Sequence, residues 1–154
     1  MDTDRPHQSD LRKSRYSVCN RVYLITTVAR QRKTVFSDLA AGRIVVNELR
    51  RLEDEGAADT LAWVLMPDHL HWLMQLGQGK TLAGVVKKLK GRSSRSLNRY
   101  LCSSGTVWQP AYHEHAVRHD EDINRLARYI VANPLRAGIV TSVGNYPLWD
   151  CVWL

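Results

Sequence analysis

No apolar run in this chain of 154 residues reaches the ~18 residues that a membrane-spanning helix requires. The start is polar and lacks the apolar stretch of a secretory signal peptide. Segment 1–10 therefore reads as a mobile tail ahead of a single compact domain over 11–154. Cysteine is scarce: Cys19, Cys102 and Cys151 are far apart, odd in number, and form no C-x-x-C pair. That argues against a disulfide framework and a zinc ribbon, and fits a reducing cytosol. Repeats and low-complexity segments are missing too. Negative charge is in short supply, with 15 Asp+Glu against 22 Lys+Arg and a net charge of +7. An excess of cations suits a polyanionic partner, most commonly nucleic acid, although charge reports on association and not on fold.

What the chain does contain is patterned. Val22 to Val28 is β-branched and aromatic, and reads as a strand. Ser37 or Asp38 can cap a helix. Ala41, Val45, Leu49 and Leu52 recur within it at helical spacing, and Gly56 is its stop. Thr60 to Met66 reads as a second strand, with Pro67-Asp68 turning into a third that Gly77 and Gly79 end. Thr81 can cap a second helix, with Leu82, Val86, Leu89, Leu97 and Tyr100 apolar. Gly84 and Gly91 each weaken it by about 1 kcal/mol relative to Ala, which allows a break near Gly91. Tyr112 to Arg118 reads as a fourth strand. Asp120 is expected to cap a last helix with a core stripe of Ile123, Leu126, Ala127 and Ile130. Tyr146, Trp149 and Trp153 make the tail apolar enough to dock on the domain. Strand, helix, strand, strand, helix, strand is the order of the ferredoxin-like α+β fold, an antiparallel sheet with two helices on one face. The last helix is an addition.

In the third strand His69 and His71 are two apart, so both imidazoles project from one face. Leu70, Trp72, Met74 and Leu76 make the other face apolar, and Leu73 is the exception on the histidine side. Two histidines are too few for a tight structural metal site, but they leave open positions for substrate oxygens. Asn133 could add a hard carbonyl oxygen, and Tyr129, one helical turn earlier, would then lie beside the metal. A phosphate held there suggests attack of the phenol on phosphorus, because an unassisted tyrosine of pKa ~10 is a poor nucleophile at neutral pH. By itself an H-x-H pair is more often structural. His113 and His115 are a second pair with the same spacing, and the six histidines could instead build a zinc site, which imidazole softness favours over magnesium. Two basic features suit a polyanion. Lys88, Arg92, Arg95 and Arg99 share one helix face. The arm of Arg12, Lys13, Arg15 and Tyr16 could bind phosphates and stack on a base. Each could equally be a solvated charge run.

Two blocks narrow the choice. Met66-Pro67-Asp68-His69-Leu70-His71 and Tyr129-Ile130-Val131-Ala132-Asn133-Pro134-Leu135-Arg136-Ala137-Gly138 are accompanied by Trp108-Gln109-Pro110 through His115 and Arg118, and by Tyr146-Pro147-Leu148-Trp149. With them the chain resembles the REP-associated tyrosine transposases, relatives of the single-tyrosine HUH transposases of small bacterial insertion sequences. The resemblance covers nearly the whole chain, from Arg12 onward. It implies a ferredoxin-like HUH core and a Mg²⁺ or Mn²⁺ ion held by His69 and His71. Asn133 stands where relatives carry a polar third ligand. It makes Tyr129 the nucleophile that cleaves single-stranded DNA and keeps the 5′ phosphate. The substrates would be REP elements, short palindromes that fold into hairpins with a conserved tetranucleotide at the foot. Arg12, Arg15, Tyr16, Lys88, Arg92, Arg95 and Arg99 are candidate DNA contacts by charge and position alone. His115 matches a family position near the active site, without a role. The implied setting is the bacterial cytoplasm and nucleoid, away from membranes, and both monomer and homodimer are compatible with it. The alternative is a catalytically idle protein that binds REP hairpins. A plasmid replication initiator would usually be larger. An RNA-binding module of this fold would show paired aromatics on the sheet, where these strands offer histidines.

Overall fold

The structure, a computed structural model, describes residues 21–118 and 122–154. The expected arm (Arg12, Arg15, Tyr16), Cys19 and the expected cap Asp120 lie outside the described residues. Among the described residues, five strands and four α-helices follow in the order β1 (Val22–Val28), α1 (Leu39–Asp54), β2 (Ala58–Met66), β3 (His69–Leu76), α2 (Leu82–Leu101), β4 (His113–Ala116), α3 (Ile123–Val131), α4 (Asn133–Arg136) and β5 (Trp149–Cys151). The sheet order is β4-β1-β3-β2-β5, with every pair antiparallel. Its first four strands have the ferredoxin-like order, and β5 extends the sheet beyond β2.

Alternation sets the register. Tyr23 pairs with Met74, Ile25 with Trp72 and Thr27 with Leu70, and all six are fully buried at 0% exposure. A slip by one residue would turn this set to the opposite face. Burying one large apolar side chain contributes roughly 1.5–3 kcal/mol, so the register is strongly held. This is the face beneath the paired helices α1 and α2.

The helix ends follow local chemistry. Asp38 Oδ1 accepts from the Ala40 and Ala41 N–H groups, and Thr81 Oγ1 from Gly84 N–H, caps worth about 1 kcal/mol each. Gly56, at φ 72°, provides the left-handed residue after α1. The break considered at Gly91 does not occur. α2 runs unbroken to Leu101 and closes on a left-handed Cys102, whose N–H bonds Asn98 O. Its packed face outweighs the low propensity of two glycines. The Tyr100 hydroxyl donates to Asp38 Oδ2 at 2.9 Å and ties the end of α2 to the start of α1.

The last helix begins later than expected. Asp122 is its cap, accepting from Arg125 N–H. The fourth strand is confined to His113–Ala116. The tail docks by pairing as well as by apolar contact: β5 adds to β2, Leu65 N–H bonds Leu148 O, and the Tyr146 hydroxyl donates to Leu65 O. Trp153, expected to dock, is 39% exposed.

Candidate active site

The β2–β3 turn is pinned from outside. Ala29 N–H donates to Asp68 O and Phe36 N–H to Pro67 O, so the segment after β1 fixes the position at which His69 leaves the turn. His69 stands opposite Val28 of β1 and Met66 of β2, and His71 opposite Thr26 and Val64. Strand pleating brings both imidazoles to one face, with centroids 4.8 Å apart and planes at 87°.

Each histidine is held through Nδ1. His69 Nδ1 lies 2.6 Å from Asp68 Oδ1. The ring donates, because an ionised carboxylate only accepts, and in the neutral ring the lone pair is then on Nε2. Burial alone would raise the Asp68 carboxyl. The hydrogen bond from His69, with the charge of Arg32 3.5 Å away, outweighs that and holds it below the usual carboxylate range. His71 Nδ1 lies 2.9 Å from Thr26 Oγ1. When this N–H donates to the hydroxyl, His71 Nε2 also presents a lone pair, and a partner on the remote nitrogen selects the tautomer in this way. Burial, then the charges of His69 and Arg136, push the His71 pKa down to about 4. Its ring is therefore neutral at pH 7, the form that can ligate a metal.

Tyr129 and Asn133 come from the other end of the chain. α3 packs across β2 and β5 through Ala127, Ile130 and Val131. None of Ala62, Val64 and Leu73, on the histidine side of the sheet, is more than 1% exposed. The sequence exception, Leu73, is thus a core residue. Tyr129 lies in the last turn of α3, 60% exposed. Asn133 opens α4 and does not continue α3. Pro134 has no N–H for Ile130 O, and the Asn133 side-chain Nδ2 donates to that carbonyl at 2.8 Å in its place.

Arg136 joins these groups. Its guanidinium carbon lies 3.8 Å from the Tyr129 ring centroid, one nitrogen donates to Tyr129 O at 2.7 Å, and the other donates to Asn133 Oδ1 at 2.9 Å. Its charge also reaches His71. The sequence motif contains Arg136 but gave it no role. Asp68 and Thr26 were likewise not singled out. Asp68 stands beside His69 in the motif and was legible as a possible partner, whereas Thr26 is 45 residues from His71.

The groups that could hold a divalent ion are His69 Nε2, His71 Nε2 and Asn133 Oδ1, which already accepts from Arg136. Among the described residues no group of three or more His, Cys, Asp and Glu side chains is arranged to hold a metal. A zinc centre assembled from both histidine pairs is therefore not formed there. An open site with two imidazoles fits a metal whose remaining positions go to substrate oxygens. His113 and His115 stand opposite Thr26 and Leu24 of β1. They project from the histidine face one strand beyond β1, and His71, Thr26 and His113 form one cross-strand row.

The cationic stripe lies on the opposite side of the sheet, on α2. Lys88, Arg95 and Arg99 are exposed. Arg92 is held by both carboxylate oxygens of Glu55 at 2.9 and 3.0 Å. Of the four expected contacts, three present an exposed cation and Arg92 is paired within the protein.

Residues 17–133 match the family described as "Transposase IS200 like". The chain belongs to the IS200-like transposase family. The matched span includes both histidines, Tyr129 and Asn133. Over 87 residues the chain is 30% identical to the REP-associated tyrosine transposase of Escherichia coli K12, covering 56% of this chain and 50% of that protein. A Haemophilus influenzae protein provisionally given the same name is 31% identical over 99 residues, 58% of this chain and 56% of that one. The chain thus spans about half the length of the curated relatives it matches. Its fold matches that of a REP-associated tyrosine transposase solved bound to a REP hairpin, with a TM-score of 0.69, 20% identity, and coverage of 85% of this chain and 76% of that one.

Proposed function

We propose that this transposase nicks and rejoins single-stranded DNA at REP-type hairpins, with Tyr129 as the nucleophile. The observation that carries the reading is the Arg136 guanidinium, which stacks on the exposed Tyr129 ring and whose charge reaches His71. The Tyr129 Oη attacks a backbone phosphorus. A bond forms between Oη and phosphorus, the bond from phosphorus to the 3′ oxygen breaks, and the departing oxygen takes up a proton equivalent to the one the phenol releases. The product is a 5′-phosphotyrosine ester and a free 3′ hydroxyl. The ester is close in energy to the diester it replaced, so another 3′ hydroxyl can displace the tyrosine and rejoin the strand without ATP.

His69 and His71 would hold a divalent Mg²⁺ or Mn²⁺ ion, with Asn133 as a third donor. When bound, the ion would supply Lewis-acid polarisation of the phosphate and offset the charge that develops there. Asp68 and Thr26 fix the two ring orientations, and neutral His71 remains available as a donor at pH 7. Lys88, Arg95 and Arg99 would follow the hairpin backbone, and cleavage would occur on the other face.

The test is incubation of the protein with labelled single-stranded REP hairpins, with and without Mn²⁺. The expected result is a covalent DNA–protein adduct that survives denaturing electrophoresis and depends on the ion. Tight hairpin binding without adduct, with or without Mn²⁺, would favour the second reading, an idle DNA-binding relative.

A further inference from the structure

Arg136 lies in the family-like block and is absorbed by none of the roles above, yet its contacts are the most specific on this side of the sheet. One planar group does three things at once. It stacks on the Tyr129 ring at 3.8 Å, it binds Tyr129 O at 2.7 Å, and it binds Asn133 Oδ1 at 2.9 Å. Tyr129 is exposed, so little else packs around its ring. An exposed tyrosine turns freely about two side-chain torsions, and each unproductive rotamer moves the hydroxyl by several ångströms. Restricting that freedom before substrate arrives is how a positioning contact accelerates an attack.

We propose that Arg136 is a positioning residue: its guanidinium holds the Tyr129 ring in one rotamer and orients the Asn133 carbonyl oxygen beside it. This rests on the role given to Tyr129 under Proposed function. The arrangement requires arginine. Lysine keeps the charge but has neither a plane to stack on the ring nor a fork that reaches two acceptors together.

Arg136→Lys and Arg136→Ala separate placement from charge. Arg136 is exposed, so both variants keep the core. Single-turnover cleavage of a REP hairpin should fall by about 100-fold in both variants, the scale of a misplaced reacting group. Hairpin Kd should change by less than about 3-fold, as expected for an interaction needed in the reaction and not in binding. Wild-type cleavage in Arg136→Lys would overturn the proposal, because charge alone would then suffice. A loss that appears wholly in Kd would overturn it as well. A second readout does not require activity. With 3-fluorotyrosine placed at position 129, the ¹⁹F resonance should shift and sharpen toward that of a freely rotating ring when Arg136 is replaced by Ala. An unchanged resonance would overturn the proposal. A wild-type protein that forms no adduct would refute the function assigned to Tyr129, and the fluorine signal would still report whether Arg136 holds the ring.

Discussion

Asn133 Nδ2 donates to Ile130 O at 2.8 Å, the carbonyl left without a helical partner because Pro134 has no N–H. The Asn-Pro pair thereby lets the chain bend between α3 and α4 without an orphaned acceptor. It also turns Asn133 Oδ1 toward Arg136. Asn133→Asp separates the two functions of the side chain, because it keeps an oxygen and loses the donor. Unfolding in urea should show a loss of about 0.5–1.5 kcal/mol, the usual worth of one such bond. Mn²⁺ affinity, followed by electron paramagnetic resonance, should not weaken, since a carboxylate is at least as good a hard donor. Affinity lost together with unaltered stability would contradict both assignments.

The orientation of His69 depends on Asp68, 2.6 Å from its Nδ1. Asp68→Ala removes that partner and leaves the backbone bond from Ala29 N–H to Asp68 O available. Mn²⁺ affinity is expected to fall by about 10–100-fold, the range for lost outer partners of ligating histidines. Equal affinity in titration calorimetry would remove Asp68 from the site.

Much of this was legible in the chain, for local reasons. Strand alternation placed His69 and His71 on one face, and the caps Asp38 and Thr81 and the stop at Gly56 needed only their neighbours. The missing parts depend on residues distant in sequence. Arg92 reads as a free cation until Glu55, 37 positions away, is folded against it. Thr26 reads as one more strand residue until β1 lies beside β3. The tail was legible as apolar, but its use as a fifth strand depends on β2 offering an edge. Arg136 was visible in the motif, and its role appears only when the bend at Pro134 brings it back over Tyr129. Tyr129 was singled out by its one-turn spacing from Asn133, but that spacing is common to any helix, and the resemblance is what gave it the role of nucleophile.

The pairing of Arg92 with Glu55 predicts unequal contributions along α2. If the stripe follows DNA, Arg95→Gln and Arg99→Gln should each reduce the slope of log K against log salt by about 1. Arg92→Gln should change it less, since its guanidinium already serves a carboxylate at 2.9 Å. Fluorescence anisotropy with a labelled hairpin over a salt series measures all three. Equal slopes for the wild type and the Arg95 and Arg99 variants would take the stripe out of the interface.

Tyr146 anchors the tail by donating to Leu65 O, and burial pushes its pKa up to about 12. The unfolded phenol titrates near ~10, so between these values the unfolded state loses the proton first. The contribution is complete below pH ~10 and is lost as pH rises through the folded value. Tyr146→Phe should cost about 1–3 kcal/mol at neutral pH, because Leu65 O loses a buried donor. It should also flatten the decline in stability at alkaline pH. Urea midpoints measured from pH 7 to 11 check both effects, and a variant that retains the wild-type decline would assign it to another group.

The chain contains six tyrosines, and the proposed chemistry uses one. The decisive measurement is proteolysis of the covalent adduct followed by mass spectrometry of the peptide carrying the nucleotide. The modified residue should be Tyr129, and Tyr129→Phe, which removes only a hydroxyl, should yield no adduct while binding the hairpin normally. A nucleotide found on another residue, or adduct formed by Tyr129→Phe at the wild-type rate, would contradict the assignment of the nucleophile.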